Sequence, residues 1–514
     1  MSGKLLKSTA VTGAMTLVSR ITGLVRDVLF ARFLGASAGV AADAFYVAFA
    51  IPNFFRRIFG EGAFSQAFVP VLAETQKKQG DEAARKFVNH MFGAFGLILF
   101  LVTLIGIIAS PLIIMGLAPG FMDEPTKFDL TVAMLRITFP YLMFISLVAM
   151  AAGILNTRGK FAAAAFTPVF LNLCLIAAVI WLTPLMDQPV VGLAWGVFIA
   201  GVVQLGFQVP FLKRAGMLGW PKLARHNEVS KVFKLMVPAI FGSSVAQVNL
   251  LVNRILASFL VTGSVSWLYY SDRLMEFPLG VFGIALATVI LPSLSRRYAD
   301  GAAGEFSHLL DWSLRLVFLI AVPAAVGLAV LAGPMIVTLF QYGAFNATDV
   351  EMTSRALVAF AIGLPGFILV KVLAPGFYAR QDTRTPAKIA MIAFAANIVL
   401  SLALVWPLKH VGLALAISLS TFINCGLLFV RLRKEQIYQP DSGWSLFLIR
   451  IVLASTAMGT LLYFGAADIQ SWLDAGFWVR VVRLAQWIGL GILVYGVALV
   501  LSGLKPGKLI HKPH

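Results

Sequence analysis

The chain has 514 residues, of which 59% are hydrophobic and 12% are charged. Because a soluble domain carries about 25% charged residues, this composition excludes a soluble protein. Lysine and arginine exceed aspartate and glutamate by 18 charges, yet no basic tract is interleaved with aromatic residues, so nucleic acid is not expected as a partner.

Apolar runs recur from one end of the chain to the other, and each is long enough to cross a hydrocarbon core of roughly 30 Å as a helix. The sequence therefore predicts an all-α polytopic membrane protein with about fourteen transmembrane helices. The first run contains Arg20 and Arg26, which the uncharged core of a signal peptide would exclude, so it is expected to be a retained span. The predicted spans are 9–34, 41–59, 90–116, 130–155, 162–183, 190–212, 235–260, 267–293, 314–340, 352–376, 388–406, 410–431, 446–466 and 481–503.

Positive charges outside these spans separate by side. The two termini and the loops that follow even-numbered spans hold 25 lysines and arginines, whereas the other loops hold only Lys127, Lys409 and Arg480. Cytoplasmic loops of membrane proteins carry the excess of positive residues. Both termini are therefore predicted to lie in the cytoplasm, with an even number of spans between them.

A weak internal repeat links two parts of the chain. The segment 152–158 resembles the segment 374–380, and Pro292 follows Pro70 at the same offset along the sequence. This offset equals six spans, which keeps both copies in the same orientation across the membrane. The prediction is two six-helix lobes in parallel repeat, 1–226 and 227–434, followed by two additional helices and a cytoplasmic tail in 435–514.

Charged residues inside the apolar spans carry most of the functional information, because each costs about 2.5 to 3.5 kcal/mol at the centre of a helix. They cluster in spans one, two, seven and eight. The planar guanidinium group matches phosphate oxygens, so an anionic substrate that bears phosphate is the expected reason for several deep arginines. The candidates for binding it are Arg20, Arg26, Arg56 and Arg273.

A structural interpretation of the same charges competes with this one. In it, the acidic residues are counter-charges that hold arginines in place, and the remaining arginines are packing or end-of-span residues. Arg273 lies three residues before Glu276, a spacing that permits a local salt bridge. The acids concerned are Asp27, Asp43, Glu61, Asp272 and Glu276, and the arginines are Arg32, Arg57 and Arg254.

Signatures of catalysis are mostly absent from the sequence. There is no Gly-rich phosphate-binding loop, no H-E-x-x-H and no G-x-S-x-G segment, and the six histidines are scattered over loops on both predicted sides. Cys174 and Cys425 lie in apolar runs and are expected to be small buried residues. We expect no enzyme, no metal and no cofactor, and a membrane-embedded transferase stays as the competing class that would need a nucleophile or a metal site.

Four segments resemble a known family. Ser19–Asp27, Ala42–Phe45, Pro52–Pro70 and Tyr269–Pro278 are similar to the signatures of the MurJ (MviN) family of bacterial lipid II flippases, and the similarity covers almost the whole chain. Gln381–Pro386 is similar to a less specific motif of the wider superfamily that includes MATE exporters and polysaccharide flippases.

The resemblance implies a function and a site. It implies transport of lipid II, which is undecaprenyl-diphosphate carrying a disaccharide-pentapeptide, from the cytoplasmic to the periplasmic leaflet of the bacterial inner membrane, for peptidoglycan synthesis. Alternating access through a cationic cavity is the implied mechanism. The expected partners are lipid II, membrane lipids and other cell-wall synthesis proteins. The substrate-binding positions implied are Arg20, Arg26, Arg56, Arg273, Asp43 and Glu276, with Asn53, Arg57, Glu61 and Ser266 as secondary positions.

A drug or ion antiporter of the MATE type is the competitor with the same fold. Its substrates are cationic, so it should place acidic residues in its cavity. Spans one, two, seven and eight instead hold seven arginines against four acids, with Glu61 at the edge.

Overall fold

The structure is a computed structural model that describes residues 3–37, 39–57, 64–466 and 468–504. In these ranges the regular secondary structure is helical throughout, as the sequence predicts. The α-helices are α1 (Gly3–Leu34), α2 (Ala41–Phe55), α3 (Ser65–Ile108), α4 (Ser110–Leu117), α5 (Pro125–Thr138), α6 (Tyr141–Thr157), α7 (Phe161–Ala177), α8 (Pro189–Arg214), α9 (Asn227–Ser258), α10 (Ser264–Pro278), α11 (Ile284–Ala299), α12 (Ala303–Val330), α13 (Ala332–Phe340), α14 (Ala347–Tyr378), α15 (Arg384–Lys434), α16 (Trp444–Ala466), α17 (Ile469–Leu473) and α18 (Phe477–Leu501). Short 3₁₀ turns lie at Pro119–Asp123 and Thr183–Leu185, and π turns lie at Ala178–Leu182 and Leu279–Gly283.

Nine helical segments of the described chain combine the length and the apolar composition needed to cross a membrane. They are α3, α5 with α6, α7 with its two following turns, α8, α12, α14, α15, α16 and α18. The other predicted spans overlap α1, α2, α9 and α10 with α11, where the sequence places the intramembrane charges. The count of fourteen crossings therefore stays a prediction.

Helix α15 contains two predicted spans. It is 51 residues long, and its backbone leaves the helical region at Lys409, where φ is 53° and ψ is −135°. Pro407 lies two residues earlier and cannot donate a backbone hydrogen bond, which favours a break at this point. The break falls between the predicted spans 388–406 and 410–431.

The predicted parallel repeat is visible in the helix boundaries. Helices α1 and α9 are each 32 residues long, and helices α2 and α10 are each 15 residues long. The start of α14 follows the start of α5 at the same offset that separates Pro292 from Pro70, and the starts of the other two pairs lie close to that offset. The two copies therefore keep both the order and the lengths of their first helices.

By packing, the chain divides into two compact units, Met1–Gly263 and Ser264–His514. In the first unit, Phe64, Phe87 and Phe95 of the α3 region form a core that also takes in Val232 and Met236 of α9. Helix α9 thus packs with the first unit in this structure. The lobe boundaries 1–226, 227–434 and 435–514, which were derived from the repeat, stay a prediction.

In the second unit, α14 packs against both α12 and α15. Gly363 of α14 permits close approach to α15, because a Cβ there would lie 2.5 Å from the Ser418 hydroxyl oxygen. The C-terminal helices pack on α12 through Leu319 of α12, Ile451 of α16 and Leu499 of α18. These contacts attach α16 and α18 to the body of the second unit.

Arg480, near the start of α18, is 5% exposed and binds the ends of other helices. Its guanidinium group donates to the backbone oxygens of Val337 and Gln341, at 3.3 and 3.2 Å, and to those of Trp472 and Leu473, at 2.9 and 2.7 Å. Carbonyl groups at a helix C-terminus lack partners inside the helix and carry partial negative charge. Arg480 therefore joins the C-terminal ends of α13 and α17.

Candidate substrate site

Arg20 and Arg26 both lie on α1, which is one continuous helix, but their environments differ. The Arg20 side chain is exposed, whereas Arg26 is 3% exposed. Six residues correspond to about 240° around an ideal helix, so the two side chains leave α1 in different directions. Arg20 is therefore open to a ligand in this structure, and Arg26 is enclosed.

Arg26 and Asp27 form a buried ion pair. The Arg26 Nε and Nη2 atoms both donate to Asp27 Oδ1, at 2.9 and 2.6 Å, and Nη1 donates to Asn172 Oδ1 of α7 at 3.0 Å. The guanidinium carbon also lies 5.6 Å from the centroid of the Phe30 ring. Because a buried cation without a partner is strongly destabilising, Asp27 and Asn172 hold this arginine in place.

Asn172 completes the junction between α1 and α7. Its Nδ2 atom donates to the Ser19 carbonyl oxygen at 2.9 Å and to the Thr22 hydroxyl at 3.1 Å. A Cβ at Gly23 would lie 3.5 Å from the same nitrogen. Asn172 is not among the residues predicted from the sequence, although a carboxamide inside the apolar run 162–183 is a signal that could identify it.

Asp43 lies in the first turn of α2 and is 1% exposed. Its Oδ2 atom accepts from the backbone N–H of Gly263 at 2.8 Å and from Lys127 Nζ at 3.4 Å. Lys127 also donates to the Thr262 hydroxyl at 3.1 Å and lies 4.3 Å from the centroid of the Phe121 ring. Gly263 has φ +102°, a backbone angle that residues with a side chain rarely adopt. Asp43 therefore joins the start of α2 to α5 and to the turn after α9.

Arg56 follows the end of α2 and is half-buried. Its Nε atom donates to Asn53 Oδ1 at 3.3 Å, and Asn53 Nδ2 donates to the Phe49 carbonyl oxygen at 3.1 Å. Arg57 is exposed, and Glu61 lies outside the described residues. Asn53 thus acts as a support that orients Arg56 at the end of the helix.

In the second unit, Arg273 forms the local salt bridge that its spacing permits. Its Nη1 atom lies 3.2 Å from Glu276 Oε2, and the two side chains are 38% and 47% exposed. The guanidinium carbon lies 5.4 Å from the centroid of the Tyr269 ring. Ser266, seven residues before Arg273 on the same helix, is fully buried. The Arg273 charge is therefore paired and still partly open to its surroundings.

Helix α14 fixes the position of α10. Trp267 Nε1 donates to Asp349 Oδ1 at 2.9 Å, and the Ser271 hydroxyl donates to the Thr353 carbonyl oxygen at 2.8 Å. Asp349 also forms a capping box with Asn346 at the start of α14. These contacts give Arg273 a defined place, because it lies two residues after Ser271 on the same helix.

The candidates differ in what they can do chemically. Arg20 is exposed, Arg56 is half-buried and the Arg273 side chain is 38% exposed, so all three are at least partly accessible. Arg26 can contact a ligand only when its pair with Asp27 opens. The assignment of these residues as substrate-binding stays a prediction.

The fold places the chain in a structural class, that of polytopic membrane proteins with a MATE-type fold. An inward-facing multidrug resistance transporter of the MATE family, in the MOP superfamily, aligns with a TM-score of 0.67 at 14% identity, covering 83% of this chain and 98% of that chain. A solved structure of lipid II flippase MurJ, in an inward closed conformation, aligns with a TM-score of 0.80 at 28% identity, covering 96% of this chain and 98% of that chain.

Sequence relatives point to one family within that class. The family model described as lipid II flippase MurJ matches residues 30–482. A probable lipid II flippase MurJ of Vibrio cholerae is 47% identical, over 98% of this chain and 97% of its own length. A lipid II flippase MurJ of Burkholderia cenocepacia is 44% identical, over 91% of each chain. The chain therefore belongs to the MurJ family of lipid II flippases, and it is a multi-pass protein of the bacterial inner membrane.

Proposed function

We propose that this chain carries lipid II across the inner membrane, from the cytoplasmic to the periplasmic leaflet, for peptidoglycan synthesis. The observation that carries the proposal is the match to a probable lipid II flippase over 98% of the chain at 47% identity. The arginines inside its apolar helices support it independently, because they suit a substrate with a diphosphate group. Transport, rather than catalysis, is the activity of the family.

The chemistry of lipid II explains why a protein with deep arginines is needed. A diphosphate group cannot cross hydrocarbon without something that replaces its hydration, because burying an unpaired ion costs several kcal/mol or more. Guanidinium groups supply paired donors in the geometry of phosphate oxygens. The polyprenyl tail can stay in the lipid while the head group passes, and alternating access would open the binding residues to each side in turn.

The four arginines then have different parts. Arg20, Arg56 and Arg273 make the first contacts with the diphosphate, because their side chains are at least partly open. Arg26 joins when a phosphate oxygen replaces Asp27 as the acceptor of its Nε and Nη2 hydrogens. Asp27 and Glu276 serve as acceptors between transport events, so that the buried Arg26 and the partly exposed Arg273 each keep a counter-charge.

The proposal also includes an orientation and partners. Both termini lie in the cytoplasm, as the excess of positive loop residues predicts. Enzymes that add sugars to the lipid-linked precursor would supply the substrate, and enzymes that polymerise it would consume the product. Other cell-wall synthesis proteins are thus the expected partners.

Depletion in the native host tests the proposal. When the protein is depleted, the lipid-linked precursor should accumulate in the cytoplasmic leaflet, and cells should lose shape and lyse. Expression of the wild-type chain should restore both. Normal appearance of the precursor in the outer leaflet after depletion would contradict the proposal. Changed drug resistance without any change in the precursor would instead favour a MATE-type antiporter.

A further inference from the structure

A groove of about 460 Å³ opens between α12, α14, α15 and α16 in the second unit. Its walls include Leu314 and Phe318 of α12, Leu373 of α14, Phe429 of α15 and Leu448 of α16. In the described chain, neither α18 nor any of the candidate substrate residues contributes to this lining. The groove is therefore distinct from the candidate substrate residues.

A buried carboxylate binds the polar atoms of two aromatic residues that line the groove. The Tyr438 hydroxyl and Trp444 Nε1 both donate to Asp311 Oδ1, at 2.7 and 2.6 Å, and Arg315 Nε donates to Asp311 Oδ2 at 2.7 Å. Asp311 is 1% exposed. Because Asp311 accepts from the polar atoms of both aromatic residues, Tyr438 and Trp444 contribute ring carbon to the groove.

Arg433 is the one charged residue among those that line the groove in the described chain. Its side chain is exposed, and within the described residues it has no ion-pair or hydrogen-bond partner. The neighbouring arginines differ, since Arg431 and Arg380 both pair with Glu435, at 2.6 and 3.1 Å. An open guanidinium group next to an apolar groove matches a phosphate oxygen attached to a hydrocarbon chain.

The helices on either side of the groove present apolar side chains outward. Phe422, Ile423 and Val430 of α15 and Leu446 and Ile449 of α16 are between 37% and 54% exposed. Both helices have the length and composition of membrane spans. Exposed apolar residues on such helices face lipid, so acyl chains are the molecules that meet the groove.

Gly426 of α15 leaves room inside the groove. A Cβ at Gly426 would have no neighbouring atom within 4 Å, whereas a Cβ at Gly363 would lie 2.5 Å from Ser418 Oγ. The groove wall at Gly426 is thus open, while the helix contact nearby is closely packed. The lack of a side chain here keeps the groove wide enough for a ligand.

We propose that this groove binds one membrane phospholipid with a net negative head group. One acyl chain lies against Gly426 and Phe429, and the phosphate binds Arg433. The groove contains none of the candidate substrate residues, so the proposal can be tested independently of lipid II transport.

Mass spectrometry of the purified full-length chain tests the head-group contact. The protein is incubated with phosphatidylglycerol and phosphatidylcholine of identical acyl chains at low lipid concentration. We expect the first phosphatidylglycerol to bind about fivefold more tightly, and Arg433→Gln to remove this preference. Lys434→Gln is the matched control, since it removes the same charge one residue away and outside the lining. An equal loss of the phosphatidylglycerol preference in both variants would overturn the proposal, because it would show only a general effect of charge.

Filling the groove tests the acyl-chain contact. Gly426→Leu should weaken binding of both lipids about tenfold, and Gly426→Ala and Gly426→Val should give intermediate losses if the leucine variant does not fold. Gly96→Leu on α3 is the control, because a Cβ there also has no neighbour within 4 Å. Unchanged lipid binding across the Gly426 series would overturn the proposal. So would a dimer of the wild-type chain that Gly426→Leu abolishes, since a second copy would then occupy the groove.

Discussion

Asp43 of α2 and Lys127 of α5 form a buried ion pair, with 3.4 Å between Lys127 Nζ and Asp43 Oδ2 and side chains that are 1% and 3% exposed. Removal of one partner of such a pair leaves an uncompensated buried charge and costs about 3 to 5 kcal/mol. We therefore expect Lys127→Met to lower the unfolding free energy by about that amount. Thermal unfolding of the purified protein in detergent measures it.

A second substitution separates charge from packing at this pair. Asp43→Asn keeps an oxygen that accepts from the Gly263 N–H. It also removes the negative charge that loses its lysine partner in Lys127→Met. The double variant should therefore be more stable than Lys127→Met. A double variant that is less stable than either single variant would show that the ion pair is not the source of the effect.

The four arginines of the candidate site should each be required for transport. Alanine at Arg20, Arg26, Arg56 or Arg273 should abolish complementation of cells depleted of their own flippase, with near-normal protein abundance for Arg20, Arg56 and Arg273. Arg26→Ala should also lower protein abundance, because it removes the counter-charge of the buried Asp27 carboxylate. Lysine should restore only part of the activity, because it loses the planar two-pronged contact. Lys434→Ala, at the predicted cytoplasmic end of α15, is the control and should be tolerated. Full activity in any two of the alanine variants would contradict the binding role.

The pair of Arg273 and Glu276 separates substrate binding from charge balance. Under the binding role, Arg273→Ala with Glu276→Ala stays inactive, because the phosphate ligand is gone. If Arg273 served only to neutralise Glu276, the same double variant would regain activity. Complementation at matched protein levels distinguishes the two results.

Asn172 should be needed to hold Arg26. Asn172→Ala removes the acceptor at 3.0 Å from Arg26 Nη1 and the donor to Ser19 and Thr22, so we expect a loss of about 1 to 3 kcal/mol in stability and reduced complementation. Cys174→Ala, two residues later on α7, should leave both unchanged. If Asn172→Ala complements as well as Cys174→Ala does, the α1–α7 junction does not support transport.

The orientation in the membrane can be tested by labelling single cysteines. In a variant without Cys174 and Cys425, a cysteine at Lys78, which is 70% exposed, should react only from the cytoplasm. A cysteine at Val261, which is 61% exposed in the turn after α9, should react only from outside. Reaction of both from one side would contradict the predicted topology.

Asp382 should give α15 a stability that depends on pH. Hydrogen bonds from the Thr385 side chain and backbone and from the Arg384 backbone hold the pKa of this carboxyl below its usual value. A carboxyl group whose pKa is lower in the folded state stabilises the fold at pH values above its unfolded-state pKa of about 3.9. This stabilisation is lost as the pH falls through the folded-state pKa. Asp382→Ala should cost up to about 1 kcal/mol at pH 7, since the carboxylate is partly exposed.

Thermal unfolding of wild type and Asp382→Ala across the acid range checks this. The difference between their unfolding free energies should be constant from pH 7 to about pH 5 and should shrink below about pH 4. Asp382→Asn, which keeps an acceptor oxygen, should lose less stability at pH 7 than Asp382→Ala does. A stability difference that is the same at pH 3 and pH 7 would contradict the stabilising role of the Asp382 carboxylate.

The sequence predicts the helices well because their cause is local. Apolar runs place the helices, and the break at Lys409 falls where the apolar pattern pauses near Pro407. The salt bridge between Arg273 and Glu276 was also predictable, because helical geometry sets the distance between residues three apart.

Contacts between distant segments were not predictable in the same way. Arg26 and Asn172 are 146 residues apart, and only the packing of α1 on α7 brings them together. The sequence predicts a loop at Lys127, yet the fold buries Lys127 in α5 beside Asp43. A single sequence carries the charges of such residues but not the helix contacts that decide which of them meet.

The burial of Lys127 and Arg480 has a consequence for the last step of transport. These are two of the three basic residues that the predicted topology assigns to loops on the periplasmic side, and both are occupied, one by a carboxylate and the other by the carbonyl ends of helices. Of the three, only the Lys409 side chain is exposed. If the predicted topology holds, Lys409 is the one exposed loop cation of these three that a polyanionic head group would meet on the periplasmic side. Charges of these loops would then slow its release little, whereas the basic cytoplasmic loops would concentrate the same head group before entry.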